Sequence, residues 1–221
     1  MFLEIWSKMD EDIAIVNQNT RISLVKDFFK KNSKKIIISL SIIFIALLIF
    51  FVFDELKKRK KEKLAQLYNG IIFNTDQYNQ SDIKNKMIKI VNEKVDTYSA
   101  LALYYLIDNK LVDDQNRIGE FFDQVISINN DKELKNLVIF KKALYFSDKY
   151  TEIKLLEILN PLINSDSIWK QHGLLLMGDF YYQKKQFNKS KEFFEKITEL
   201  SNINPKIKTD VERRLNRDFN E

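Results

Sequence analysis

From Ile36 to Phe53 the chain reads IIISLSIIFIALLIFFVF, a run with no charge, no Pro and no Gly. Wound as a helix at about 1.5 Å per residue, it covers roughly 27 Å, close to the hydrocarbon thickness of a bilayer. The run is apolar on every side and so lacks the polar stripe of a surface helix. Lys30-Lys31 and Lys34-Lys35 precede it, and Lys57-Lys58-Arg59-Lys60-Lys61 follows it. This pattern predicts one transmembrane helix. A signal peptide would place its apolar region close behind a short basic start and end it at a small-x-small site. Here residues 1–35 come first and Asp54-Glu55 close the run, so the expectation is an uncleaved anchor. Ahead of it, Ile22, Leu24, Val25, Phe28 and Phe29 recur at near-helical spacing among Lys26, Asp27, Lys30 and Lys31. That suits either an amphipathic helix at the interface or an extension of the span.

Beyond Leu64 the pattern changes to apolar positions three and four apart, broken by short polar stretches. It predicts helices at 55–73, 82–94, 97–110, 116–129, 132–148, 151–163, 168–184, 187–200 and 205–217. Turn chemistry marks the breaks: Asn74-Thr75-Asp76, Asp113-Asp114, Asn129-Asn130-Asp131, Asn164-Ser165-Asp166 and Asn202. Asn204-Pro205 puts a capping side chain before a Pro at the first helical position.

Paired helices of this length invite a search for repeats. A 34-residue tetratricopeptide (TPR) frame starting at Gln171 puts Leu174 at position 4, Met177 at 7, Gly178 at 8 and Tyr181 at 11. Ser190, Phe194 and Ile197 then fall at 20, 24 and 27. Small residues at 8 and 20 let two helices approach closely, and large ones fill the space around them. Ile197 stands where the motif usually has Ala. A weaker copy carries Ile139, Ala143, Phe146, Leu155, Leu159 and Leu162, with Pro161 expected to shorten or kink its second helix. A looser one runs from Thr97 to Ile128. Together with a terminal helix they predict an all-α chain: one transmembrane helix, then a TPR-like α-solenoid of helical hairpins. The expected divisions are 1–35 tail, 36–53 span, 54–95 basic segment and leading helices, and 96–221 repeats with a capping helix.

Composition narrows the chemistry. Four Gly and two Pro are too few for turn-rich β folds, and the absence of Cys excludes disulfides and zinc-thiolate sites. His172 is the only His. Asp113-Asp114, Glu192/Glu195 and Asp10-Glu11-Asp12 read as solvated charges, and no Gly-rich phosphate loop or metal-ligand spacing occurs. The expectation is a protein that is not an enzyme, with no cofactor, metal or small-molecule substrate. The net charge of +5 raises nucleic acid as a partner. Its location withdraws that idea: residues 64–221 carry 23 basic and 23 acidic residues, so the excess sits beside the span. KKRKKEK at 57–63 suits anionic lipid head groups. Six basic residues on each side of the span leave its orientation undetermined by charge.

The acidic cluster, basic helix, single span and TPR-like domain, in that order, resemble the YfgM-like ancillary subunits of the SecYEG translocon. The residues that carry the resemblance are Lys26-Asp27-Phe28-Phe29-Lys30-Lys31 and Thr97-Tyr98-Ser99-Ala100-Leu101-Ala102. Departures are the basic run after the span and large residues at small-residue positions. The resemblance implies a bacterial inner-membrane protein with a cytoplasmic N-terminus and periplasmic repeats. It also implies association with SecYEG and periplasmic folding factors, handling newly exported chains. By the repeat numbering, the protein-binding groove would be lined by Leu137, Phe140, Leu144, His172, Leu175, Asp179 and Tyr182. An envelope scaffold for cell division or appendage assembly is the alternative, because repeats specify a docking surface and not its occupant.

Overall fold

A computed structural model describes the backbone of residues 2–219 and the side chains of 22–219. The Asp10-Glu11-Asp12 cluster and Glu221 lie outside the described side chains. The described residues are helical throughout their regular structure: α1 (Phe2–Phe73), α2 (Gln80–Asn92), α3 (Asp96–Asp108), α4 (Gln115–Ile128), α5 (Lys132–Phe146), α6 (Glu152–Ile163), α7 (Lys170–Gln183), α8 (Phe187–Thr198) and α9 (Pro205–Asp218), with one 3₁₀ turn at Thr75–Gln77. The tail helix, the span and the helix expected from residue 55 are one element. No Pro or Gly occurs before Gly70, so nothing in the sequence stops α1 earlier.

Packing divides the chain into Met1–Lys60 and Lys61–Glu221. The first unit holds the one helical stretch, among the described residues, that is long and apolar enough to cross a membrane, and none of its apolar window is buried. A core helix of a soluble protein would be mostly covered, so this exposure is consistent with a single-pass membrane protein. The Ser41 hydroxyl, inside the apolar run, donates to the Ile37 carbonyl at 2.9 Å. That bond satisfies the Ser41 hydroxyl within the helix itself. Just past the run, Arg59 donates to Glu55 at 2.7 Å and holds its carboxyl below the usual range.

In the second unit, helix starts are fixed by side-chain caps. Asn79 accepts from the Asp82 amide, Asp114 from Asn116 and Arg117, Asp131 from Leu134, and Asn204 from Lys206. Several helices end in a residue with positive φ: Lys94, Lys110 and Lys185. After α7, the Lys185 amide bonds to the Tyr182 carbonyl and the Gln186 amide to Tyr181, both at 2.9 Å. This Schellman closure makes the turn Lys184-Lys185-Gln186. After α2 the equivalent closure runs through a side chain. The Val95 amide donates to Ser99 Oγ at 3.0 Å, and that hydroxyl donates to the Ile90 carbonyl at 3.2 Å.

Each helix from α2 onward packs on the next. One core joins Leu64 and Ile71 of α1 to Met87, Ile90, Leu103, Leu106, Ile118, Phe122 and Phe146. A second joins Ile139 and Ala143 to Leu155, Leu159, Leu174, Met177, Phe194 and Val211. Helix α5 supplies residues to both cores, so they are continuous through it. The first core draws on residues from both sides of residue 96, and the second compact unit runs Lys61–Glu221. Pro161 does not shorten α6, which continues to Ile163. Its missing amide would have bonded the carbonyl of Glu157, an exposed residue near the helix end, where water can satisfy it.

A candidate docking face along the odd-numbered helices

One spacing recurs among the bonds that join distant parts of the chain. Gln124 donates to the Val91 carbonyl (2.6 Å, 33 residues apart) and Lys149 to Gln115 (2.8 Å, 34 apart). Ser167 donates to Glu133 (2.7 Å, 34 apart), and the Asn204 amide to Gln171 (2.8 Å, 33 apart). Arg214 pairs with Asp179, 35 residues away, and Lys189 with Glu152, 37 away. Each bond ties a residue to its counterpart one helix pair later.

These contacts sort the helices into two rows. Tyr68 of α1 meets Tyr98 of α3 at 6.1 Å between ring centroids. Lys141 of α5 lies over the Tyr104 ring of α3 at 4.1 Å. Phe140 of α5 meets His172 of α7 at 5.6 Å, and Asp179 of α7 pairs with Arg214 of α9. The odd-numbered helices thus adjoin in sequence. The even-numbered row is linked by Gln124–Val91 between α4 and α2 and by Lys189–Glu152 between α8 and α6.

The close approach within the last pair is visible at Gly178 and Ser190. The fully buried Ser190 hydroxyl donates to the Gly178 carbonyl at 2.8 Å. A Cβ on Gly178 would overlap the Phe194 ring. At this pair the small residues hold the two helices at backbone distance, as the spacing predicts.

All seven residues predicted to line a groove lie on α5 and α7, within the odd row, in three different settings. Leu144 is 50% exposed and Leu137 is partly buried, so α5 presents aliphatic surface. Phe140 and His172 join an aromatic cluster with Trp169, which stacks on Phe140 at 6.1 Å and lies 5.1 Å from His172. Desolvation there lowers the His172 pKa, outweighing the Ile168 carbonyl, and Nδ1 has no partner among the described residues. The neutral ring is the favoured form.

Leu175, Asp179 and Tyr182 face α9. Burial raises the Asp179 pKa although Arg214 opposes the shift. Tyr182 meets Phe187 and Phe219 edge-on at 5.4 and 6.1 Å. Asp179 is thus committed to an internal ion pair. Leu175 instead lines an open cleft of about 650 Å³ with Pro205, Ile207 and the charged side chains Lys206, Asp210 and Arg213.

Sequence reasoning missed Trp169, Arg214 and Tyr104. Arg214 was nearly within reach, since adding one 34-residue repeat to Asp179 lands on its neighbour Arg213. Tyr104 carries a buried hydroxyl with no partner among the described residues, and burial pushes its pKa up to about 12. No group of three or more metal-binding side chains assembles among the described residues. The face offers apolar and aromatic contact, not a constellation of reactive groups.

The structure defines the class: an all-helical chain with one membrane-length helix, followed by helices that pack in succession. Comparison with protein-family models, with curated proteins and with solved structures returns no match.

Proposed function

We propose that this chain is a membrane-anchored protein-docking module of TPR type, ancillary to the SecYEG translocon, that handles newly exported proteins. The observation that carries the reading is the row of odd-numbered helices, tied together by bonds 33–35 residues apart. Such a period is that of a TPR array, whose first helices form a continuous ligand face. Packing at Gly178, Ser190 and Phe194 supports the same assignment. Tethering this face beside an export channel would raise the local concentration of many weak client contacts. The link to the translocon comes from the order of tail, span and repeats and from the two quoted segments.

On this reading the N-terminus is cytoplasmic, the repeats are periplasmic, and residues 57–63 meet anionic head groups. The chain has no Cys, so Asn202→Cys, at an exposed position, provides a clean reporter. Labelling by a membrane-impermeant thiol reagent in intact spheroplasts is expected; protection until lysis would reverse the orientation. In-cell crosslinking with mass spectrometry should recover translocon subunits. Recovery only of division or wall-synthesis proteins would establish the envelope-scaffold reading instead.

A further inference from the structure

We propose that the cleft between α7 and α9 seats an apolar side chain of the docked partner whose neighbouring residue is an Asp or Glu, with that carboxylate pairing to Lys206. This rests on the docking reading above and names the chemistry of the segment bound at the C-terminal end of the row.

The cleft has an apolar floor of Leu175, Pro205 and Ile207 and an open volume of about 650 Å³, within the usual range for ligand sites. Its rim is electrostatically uneven. Asp210 is engaged by Arg213 and, at 3.0 Å, by Arg214, which also holds Asp179. Lys206 differs: its backbone amide caps onto Asn204 at 2.9 Å, and its exposed ammonium has no carboxylate within ion-pair distance among the described residues. Lys206, Asp210 and Arg213 stand at i, i+4 and i+7 on one face of α9, so two cations flank a carboxylate that is already paired. The rim is positive although residues 64–221 balance 23 basic against 23 acidic residues.

The rest of the face contrasts with this end. Leu137, Phe140, Leu144, His172 and Leu175 include no Lys or Arg. Lys141, beside them on α5, is half-buried and held over the Tyr104 ring at 4.1 Å, so the exposed cation with no such contact stands at α9. An adjacent carboxylate complements that site, whereas an adjacent Lys would meet Lys206 as a like charge.

The test uses the full chain in nanodiscs and two labelled peptides sharing a Leu-Phe-Leu core, one flanked by Glu and the other by Lys, read by fluorescence anisotropy. The Glu-flanked peptide should bind tighter, on the order of tenfold at low salt, with the gap narrowing as salt screens it. Lys206→Glu, at an exposed position, should reverse the preference. An unchanged preference in Lys206→Glu would overturn the proposal. Leu144→Glu separates the two readings. If it weakens peptide binding while Lys206→Glu has no effect, the docking face stands and the role of this cleft falls. If neither variant changes binding, both fall.

Discussion

Gly178 has no room for a side chain, because the Phe194 ring occupies the space a Cβ would need. Gly178→Ala should therefore destabilise the protein by about 1–3 kcal/mol, the usual range for overpacking. Gly119 is the control, since a Cβ there would lie 3.8 Å from the nearest atom of Phe146. Gly119→Ala should be neutral or gain up to about 1 kcal/mol from helix propensity. Thermal unfolding of the full chain in detergent, followed by circular dichroism, compares the two. Ser99 is a second test at this scale. Its buried hydroxyl relays the bond between the Val95 amide and the Ile90 carbonyl; the carbonyl also accepts from the Glu93 amide at 3.3 Å, so Ser99→Ala orphans the Val95 amide and should cost about 1–3 kcal/mol.

His172 predicts a pH dependence whose sign follows from burial. Its folded pKa lies below the ordinary value of 6.5, so the unfolded chain takes up the proton first as pH falls. The stability contributed by the neutral ring is complete above 6.5 and is lost as pH drops through the folded pKa. Unfolding temperatures measured at pH 7.5 and 5.5 should show this loss. His172→Phe, which keeps a ring beside Phe140 and Trp169, should remove that part of the difference; an unchanged pH response would exclude His172 as its source.

At the scale of helices, periodicity and caps were enough to place α2–α9, because apolar stripes and Asn or Asp caps are local signals. Asp114, Asp131 and Asn204 all act at the breaks the sequence marks. What depended on distant packing was not legible. Nothing local shows that Trp169 stacks on Phe140, or that α2 shares a core with α3 and α4. Pro161 leaves the length of α6 unchanged because it stands near the helix end, where its missing amide costs little. The helices also differ in how firmly they are held. Helix α7 buries seven residues, including Leu174, Met177 and Tyr181, whereas α9 buries Val211 alone. Local opening follows buried contact, so hydrogen–deuterium exchange should protect α7 amides far longer than those of α9. Equal protection would mean that α9 is held by more than its packing shows.

For the whole molecule, the +5 charge is a property of the membrane flanks, and the repeat region is neutral. On the proposed function, membrane attachment and docking fall to different segments: the apolar helix with its basic borders, and the odd-numbered face. Only the first was readable from composition. The second needed the repeat frame, and the frame placed all seven groove residues on α5 and α7 without showing that α9 engages Asp179 and Tyr182.

The most direct test of the docking face is site-specific photocrosslinking in living cells, with the reactive group at Leu144 on the odd row or at Glu157 on the even row, both exposed. A docking face on the odd row predicts translocon subunits crosslinked from Leu144 and little or nothing from Glu157. Equal capture from both positions, or capture from Glu157 alone, would contradict it.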